Sequence, residues 1–148
     1  MMIADLARLP GRTFPAGRWT RSLVGQSGQP IAAKGFAMGF GVLAPGGGQV
    51  PWHNHDQEEV YLILEGEGEM CVDVERRTVA GGQAVYIAPG LFHQLTNTGA
   101  EPLRFVYVYC PGGDVAHWRQ ELEGTLPRAG QEGVPPLPDG ARPQKVAG

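Results

Sequence analysis

Between residues 35 and 110 the apolar positions fall in short runs with a two-residue period, the mark of strands rather than helices. Phe36, Met38, Phe40 and Val42 alternate with Ala37, Gly39, Gly41 and Leu43. Residues 59–64, 70–74, 83–87, 92–96 and 103–109 follow as runs rich in Val, Ile, Tyr and Phe. Between the runs lie Pro45 with three glycines, the segment 65–68, Gly81-Gly82, Pro89-Gly90 and the segment 97–99, all suited to tight turns. Short, regularly spaced strands predict an all-β sandwich or closed barrel. No internal repeat occurs, so the pattern predicts one barrel over about residues 35–110.

The flanks read differently. Residues 1–34 are broken by Pro10-Gly11, Pro15, Gly17, Gly25, Gly28 and Pro30, which predicts an irregular leader with short pieces paired at a sheet edge. One helix is predicted within residues 111–123, capped by Asp114, running from Val115 to Leu122 and stopped by Gly124. Five Gly and five Pro in the last 25 residues exclude regular structure there. That tail, residues 124–148, is expected to be disordered or extended on the surface, serving assembly or access more than the barrel's stability.

Composition narrows the class. At 148 residues the chain is about one domain, and 42% apolar with 18% charged residues fits a globular fold. With a net charge of −3 and no dense run of Lys and Arg, no nucleic-acid partner is expected. Asp5, Arg8, Arg12, Arg18 and Arg21 interrupt the leader, so no signal peptide is visible. The longest apolar runs, 60–64 and 105–110, are too short to span a bilayer, and a cytoplasmic location without membrane contact is expected. Cys71 and Cys110 then read as two reduced, buried thiols.

Candidate chemistry lies in the histidines. His53 and His55 are one residue apart, so on a strand both leave the same face, and Glu59 shares their parity. His93 follows the Pro89-Gly90 turn, which can aim it. Three imidazoles and one carboxylate suit one divalent ion of intermediate hardness: manganese, iron, cobalt, nickel or zinc. Gln49 and Tyr61, by parity, and Gln57 are candidates to line a substrate pocket. Tyr107 or Tyr109 can join them from the closing strand, whose register stays open. Trp52 faces away from the metal. No Lys or Arg falls within residues 49–64 or 84–96, so the pocket is expected to lack a fixed cation and to suit a neutral or chelating oxygen ligand.

The full spacing is more specific than any single residue. Gly47-x5-His53-x-His55-x3-Glu59-x6-Gly66 resembles the first motif of the cupin superfamily, and Gly82-x5-Ala88-Pro89-Gly90-x2-His93-x3-Asn97 resembles the second. The second motif usually has proline where this chain has Ala88, a turn position and not a ligand. The resemblance covers roughly residues 35–110 and implies a double-stranded β-helix, the cupin jelly-roll barrel. It also implies that His53, His55, Glu59 and His93 are the metal ligands.

Two classes of function follow. One is an enzyme, a metal-dependent dioxygenase, lyase, decarboxylase or isomerase of a small oxygenated molecule, with Glu59 or Tyr61 as proton-transfer partner. The other is a non-catalytic, metal-dependent binding or sensing module for a small molecule. Both faces of residues 60–64 are apolar, so a homodimer is expected to cover the barrel's outer surface.

Overall fold

The computed structural model describes residues 1–26 and 28–147. Its strands are β1 (Arg12–Phe14), β2 (Arg18–Gly25), β3 (Ile31–Ala32), β4 (Ala37–Leu43), β5 (Gln49–His53), β6 (Glu58–Glu65), β7 (Glu67–Val72), β8 (Glu75–Ala80), β9 (Ala84–Ile87), β10 (His93–Asn97) and β11 (Leu103–Cys110). One α-helix among the described residues, α1 (Ala116–Glu123), follows. One sheet has seven strands in the order β1-β2-β4-β11-β6-β9, with β3 beside β2; the other has four, β5-β10-β7-β8. Neighbours in each sheet are mostly distant in sequence, so the chain crosses repeatedly between two facing sheets. This is the jelly-roll form of a β-barrel.

The interior has two unlike ends. Along β11 the inward residues are Leu103, Phe105, Tyr107 and Tyr109, and antiparallel to them along β6 run Ile63, Tyr61 and Glu59. At one end Leu43, Leu103 and Ile63 meet Leu95 and Met70. Toward the other end the same strands present tyrosines and a carboxylate. Three of the four inward positions of β4, Ala37, Gly39 and Gly41, are small, with Met38, Phe40 and Val42 on the outer side. A Cβ at Gly39 would lie 2.1 Å from the Tyr107 hydroxyl, so only glycine lets that ring cross the strand.

The expected strands are present, with two additions that the pattern did not show. Residues 18–25 of the supposed irregular leader form β2, which pairs along most of β4. Its period is hidden because its buried positions include Arg18 and Thr20. β8 is an edge strand whose one buried residue is Val79, too little to make an apolar period. The helix begins one residue later than expected: its N-cap is Val115, and Asp114 instead pairs with Arg119 at 3.1 Å. Gly124 ends it in a left-handed conformation. Both cysteines are free, but only Cys71 is buried, whereas Cys110 is exposed on the outer side of β11. No helix among the described residues is long and apolar enough to cross a membrane.

The tail forms no regular structure, yet it is not a loose appendage. It crosses the outer face of the four-stranded sheet. The Trp52 indole donates to the Pro135 carbonyl at 2.9 Å, and the Gln94 amide donates to the Arg142 carbonyl at 3.0 Å. Gln49 donates to the Pro143 carbonyl at 2.8 Å and accepts from the Lys145 N–H at 2.7 Å. Every residue of β5 and β10 is buried as a result. The tail, expected to serve assembly or access more than the barrel's stability, covers Trp52, which is 1% exposed and without it would face water. Burying that ring is worth about 3 kcal/mol. Deleting residues 125–148 is expected to lower Tm by about 10 °C in a calorimetric scan. An unchanged Tm would show that the strap adds nothing.

Candidate metal centre

The cluster at the polar end of the barrel is assembled by three strands and two loops. β5 ends at His53, which lies opposite His93, the first residue of β10. His55 lies beyond β5 in the loop that leads to β6. That loop is tied to the turn before β10: the Gly90 N–H donates to the His55 carbonyl at 2.8 Å, and the Asn54 amide donates to the Gly90 carbonyl at 3.2 Å. Gly90 holds a φ of 79°, which favours glycine. Glu59 points inward from β6, while Glu58 points outward and accepts from the Tyr86 hydroxyl at 3.1 Å.

Each of the three rings is oriented by a backbone carbonyl. His53 Nδ1 meets the Pro51 oxygen at 2.7 Å, His55 Nδ1 the Gln57 oxygen at 3.0 Å, and His93 Nδ1 the Leu91 oxygen at 2.9 Å. A carbonyl only accepts, so each Nδ1 carries the proton and donates. In its neutral form each ring then turns an Nε2 lone pair inward. The Glu59 Oε2 sits 3.0 Å from His55 Nε2 and 3.1 Å from His93 Nε2, and His53 Nε2 is buried with no partner. All four candidate ligand atoms lie within 4.8 Å of one another. Lone pairs and an anionic oxygen facing one another at this range repel unless a cation sits among them. A divalent ion with nitrogen and oxygen preference fits that donor set. Burial, and then the neighbouring rings of His117, His93 and His55, hold His53 well below its usual pKa and so neutral, as a ligand must be.

Other sequence candidates land differently. Tyr61 lies on the inner wall beside His93, with ring centroids 6.0 Å apart. Its phenol is raised well above the usual value by burial and then by the charge of Glu59. Tyr107 and Tyr109 both face inward, which settles the register of the closing strand. Gln57 offers its backbone carbonyl to His55, and its amide lies beside Gly113 at the outer cavity.

Gln49 is not at the pocket, and this corrects the parity argument. Between Val50 and His53 β5 spends three residues where β10 spends two, from Leu95 to His93. The extra residue is a β-bulge between Val50 and His53, and it reverses the parity of everything before it. Val50 and His53 therefore both face inward, while Gln49 and Trp52 face the tail.

Three residues at the site had no signal in the strand pattern. His117 on α1 stacks on His53 with ring centroids 3.6 Å apart. Arg18 on β2 forms a buried ion pair with Glu121 of α1 at 2.6 Å. The expectation of a pocket without a fixed cation fails here, because it considered only the strands that carry the motifs. A helix whose two buried residues are His117 and Glu121, four apart, is a visible hint that its inner face meets a polar site. Between Arg18, His117 and Glu59 lies a cavity of about 10 Å³, lined also by Tyr61, Tyr107 and Tyr109. Tyr107, Tyr109, Val115 and Trp118 divide it from an outer cavity of about 720 Å³ beneath β2 and the leader.

Purified protein is expected to hold about one divalent ion per chain by elemental analysis. His53→Ala or His93→Ala should lose most of it, and full occupancy in both would refute the ligand set. A tightly held ion stabilises the fold by roughly 3 kcal/mol at a hundredfold excess over Kd, so chelation should lower Tm by about 5–10 °C.

Comparison with known proteins agrees with this geometry. Residues 39–109 match the family model described as the cupin domain. A dimethylsulfoniopropionate lyase, DddW of Ruegeria pomeroyi, is 36% identical over 95 residues, covering 64% of this chain and 59% of that protein. The uncharacterized protein MJ1618 of Methanocaldococcus jannaschii is 38% identical over 65 residues, 43% of this chain and 52% of that one. The chain thus matches between about half and three-fifths of these relatives' lengths. Among solved structures, the dimethylsulfoniopropionate lyase DddQ of Ruegeria pomeroyi superposes with a TM-score of 0.61 at 26% identity, covering 74% of this chain and 58% of that one. An RmlC-like cupin of Shewanella frigidimarina gives 0.64 at 12% identity, over 76% of this chain and 92% of that one. An oxalate decarboxylase variant of Bacillus subtilis gives 0.67 at 21%, over 79% of this chain and 31% of that one. With its jelly-roll barrel, its matched segment and its inward His/His/Glu/His cluster, this chain belongs to the cupin superfamily.

Proposed function

We propose that this chain is a metal-dependent enzyme acting on a small oxygenated organic molecule, and that its reaction is a lyase elimination. One observation carries the metal-dependent part: three imidazole nitrogens and a carboxylate oxygen within 4.8 Å, with every Nδ1 committed elsewhere. The likeness to two dimethylsulfoniopropionate lyases supports the lyase type over a dioxygenase, decarboxylase or isomerase. The outer cavity of about 720 Å³ is in the range that holds small molecules.

His53, His55, Glu59 and His93 would hold the ion, which when bound supplies a Lewis acid that polarises a substrate oxygen. Tyr61 stays a protonated phenol, so it acts as a hydrogen-bond and proton donor beside Glu59. Burial likewise raises Tyr107 to about 12, keeping a second donor on the same wall. Tyr61→Phe is expected to lower kcat by about 10²–10⁴-fold with metal content unchanged. To test the reaction type, the protein is reconstituted separately with iron(II), manganese, nickel and zinc and offered diketones, hydroxy-acids and catechols. Turnover with several metals and no oxygen uptake indicates a lyase or isomerase, and an eliminated alkene product identifies the lyase. Turnover with iron alone plus oxygen uptake would make it a dioxygenase. Tight binding without turnover on any metal would make it a binding module.

The proposed setting is a cytoplasmic homodimer. The outer face of the seven-stranded sheet leaves Leu62 39% and Leu64 43% exposed, with Phe36 and Tyr86 also open to solvent. A second copy laid on this face would cover it. Light scattering should then give twice the 15.8 kDa chain mass, and a monomer at micromolar concentration would count against the dimer.

A further inference from the structure

The backbone that aims His53 is the least regular stretch of β5. Pro51 has no N–H to give to the sheet, and the bulge between Val50 and His53 interrupts the pairing with β10. Pairing resumes only at His53 itself, opposite His93. From within, a side chain braces this stretch where His53 Nδ1 donates to the Pro51 carbonyl at 2.7 Å. A rotation of the peptide that joins Trp52 to His53 would turn this ring, and its Nε2 with it.

The tail braces the same stretch from outside. The Gln144 amide donates at 3.2 Å to the Trp52 carbonyl, the oxygen of the peptide leading into His53. It also donates to the Pro127 carbonyl at 2.9 Å, while its oxygen accepts from the Ala129 N–H at 2.6 Å. One side chain thus ties the two ends of the tail to one peptide of β5. The Trp52 ring, held by the Pro135 carbonyl, packs against Phe92, the residue before His93, with ring centroids 5.7 Å apart. Gln94, the residue after His93, holds the Arg142 carbonyl. A tail that only shut out water could be pinned anywhere on the sheet. Here its grips include the chain neighbours of two of the four cluster residues. Glu69 on β7 and Arg76 on β8, which hold the Arg142 N–H and the Gly140 carbonyl, are the grips farther off.

We propose that Gln144 is a positioning residue for His53, and that docking of the tail and binding of the ion favour one another. This rests on the reading of His53, His55, Glu59 and His93 as metal ligands. A docked tail holds the Trp52–His53 peptide in the orientation that turns Nε2 toward the other three ligands. An ion held by His53 and His93 in turn steadies the two strands on which the tail lies. The coupling is reciprocal: an ion that binds more tightly when the tail is docked must make the tail open less often.

The test uses the full chain with manganese(II) alone. Affinity is read from the electron paramagnetic resonance of the free ion, and tail opening from amide hydrogen exchange. Gln144→Glu keeps the side-chain length and the acceptor for Ala129 but has no N–H to give to Trp52 or Pro127. It should weaken manganese binding about three- to tenfold, the scale of one hydrogen bond. Arg76→Ala, which frees the tail at Gly140, should speed exchange of the Arg142 N–H and leave manganese affinity unchanged. In the wild-type protein, stripping manganese with a chelator should speed exchange of the Lys145 N–H, which Gln49 holds, about fivefold or more. The reference is the Ala33 N–H, which donates to the Gly25 carbonyl on the other sheet. This last measurement needs no variant, so the proposal stays testable even where Gln144→Glu does not fold. Exchange of Lys145 relative to Ala33 that is the same with and without manganese would overturn the coupling. Manganese affinity unchanged in Gln144→Glu, or lowered as much by Arg76→Ala, would overturn the positioning role. Both of these results leave the metal site standing. Wild-type protein that binds no divalent ion would overturn the metal-site reading itself, and this inference with it.

Discussion

At the polar end of the barrel an ionised carboxylate faces three imidazole nitrogens whose lone pairs all point at it. The backbone enforces this arrangement. Carbonyls of Pro51, Gln57 and Leu91 accept from Nδ1 of His53, His55 and His93, so in its neutral form each ring has no Nε2 proton to offer Glu59. Such a cluster stores repulsion that a cation relieves, and the local structure serves to hold it. The bulge between Val50 and His53 sets His53 inward, the tie between Gly90 and His55 fixes a loop residue as firmly as a strand residue, and β6 delivers Glu59 in register with Tyr109.

Holding four donors in place requires strands that do not breathe. β5 and β10, which carry His53 and His93, are buried on both faces: one by the barrel interior, the other by the tail. The tail has no strand pairing to offer, so it is held by side chains that reach out to its carbonyls, those of Gln49, Trp52 and Gln94. This explains why glutamines stand on a sheet face that is shut off from water. Their amides replace, one by one, the hydrogen bonds that water would make.

The opposite wall is built on a different principle. β2 and α1 contribute polar side chains, Arg18, His117 and Glu121, to the interior, where most barrels would place aliphatic ones. Phe14 lies beneath the guanidinium at 3.9 Å, and Trp118 packs edge-on against both Phe14 and Tyr107. Aromatic rings thus supply the packing around a guanidinium that is paired with Glu121. The helix is a closing element for the metal cluster, with His117 laid flat on His53.

How far the sequence reaches is clear from particular residues. The two-residue period of β4, β6 and β11, the turn residues between them and the spacing of His53, His55, Glu59 and His93 are local properties, and they determined the barrel and its cluster. A local rule failed wherever partners distant in the chain decide. Gln49 shares parity with His53, but a bulge whose sign is the extra residue opposite β10 turns it to the other face. Arg18 lies 41 positions before Glu59 in a strand without an apolar period, and only the pairing of β2 with β4 brings it to the same cavity. His117 depends on where α1 packs, and the tail on a sheet face that forms only when β5 and β10 pair. Periodicity records which side of its own element a residue occupies. What that side faces is settled by packing between elements, and that belongs to the tertiary structure alone.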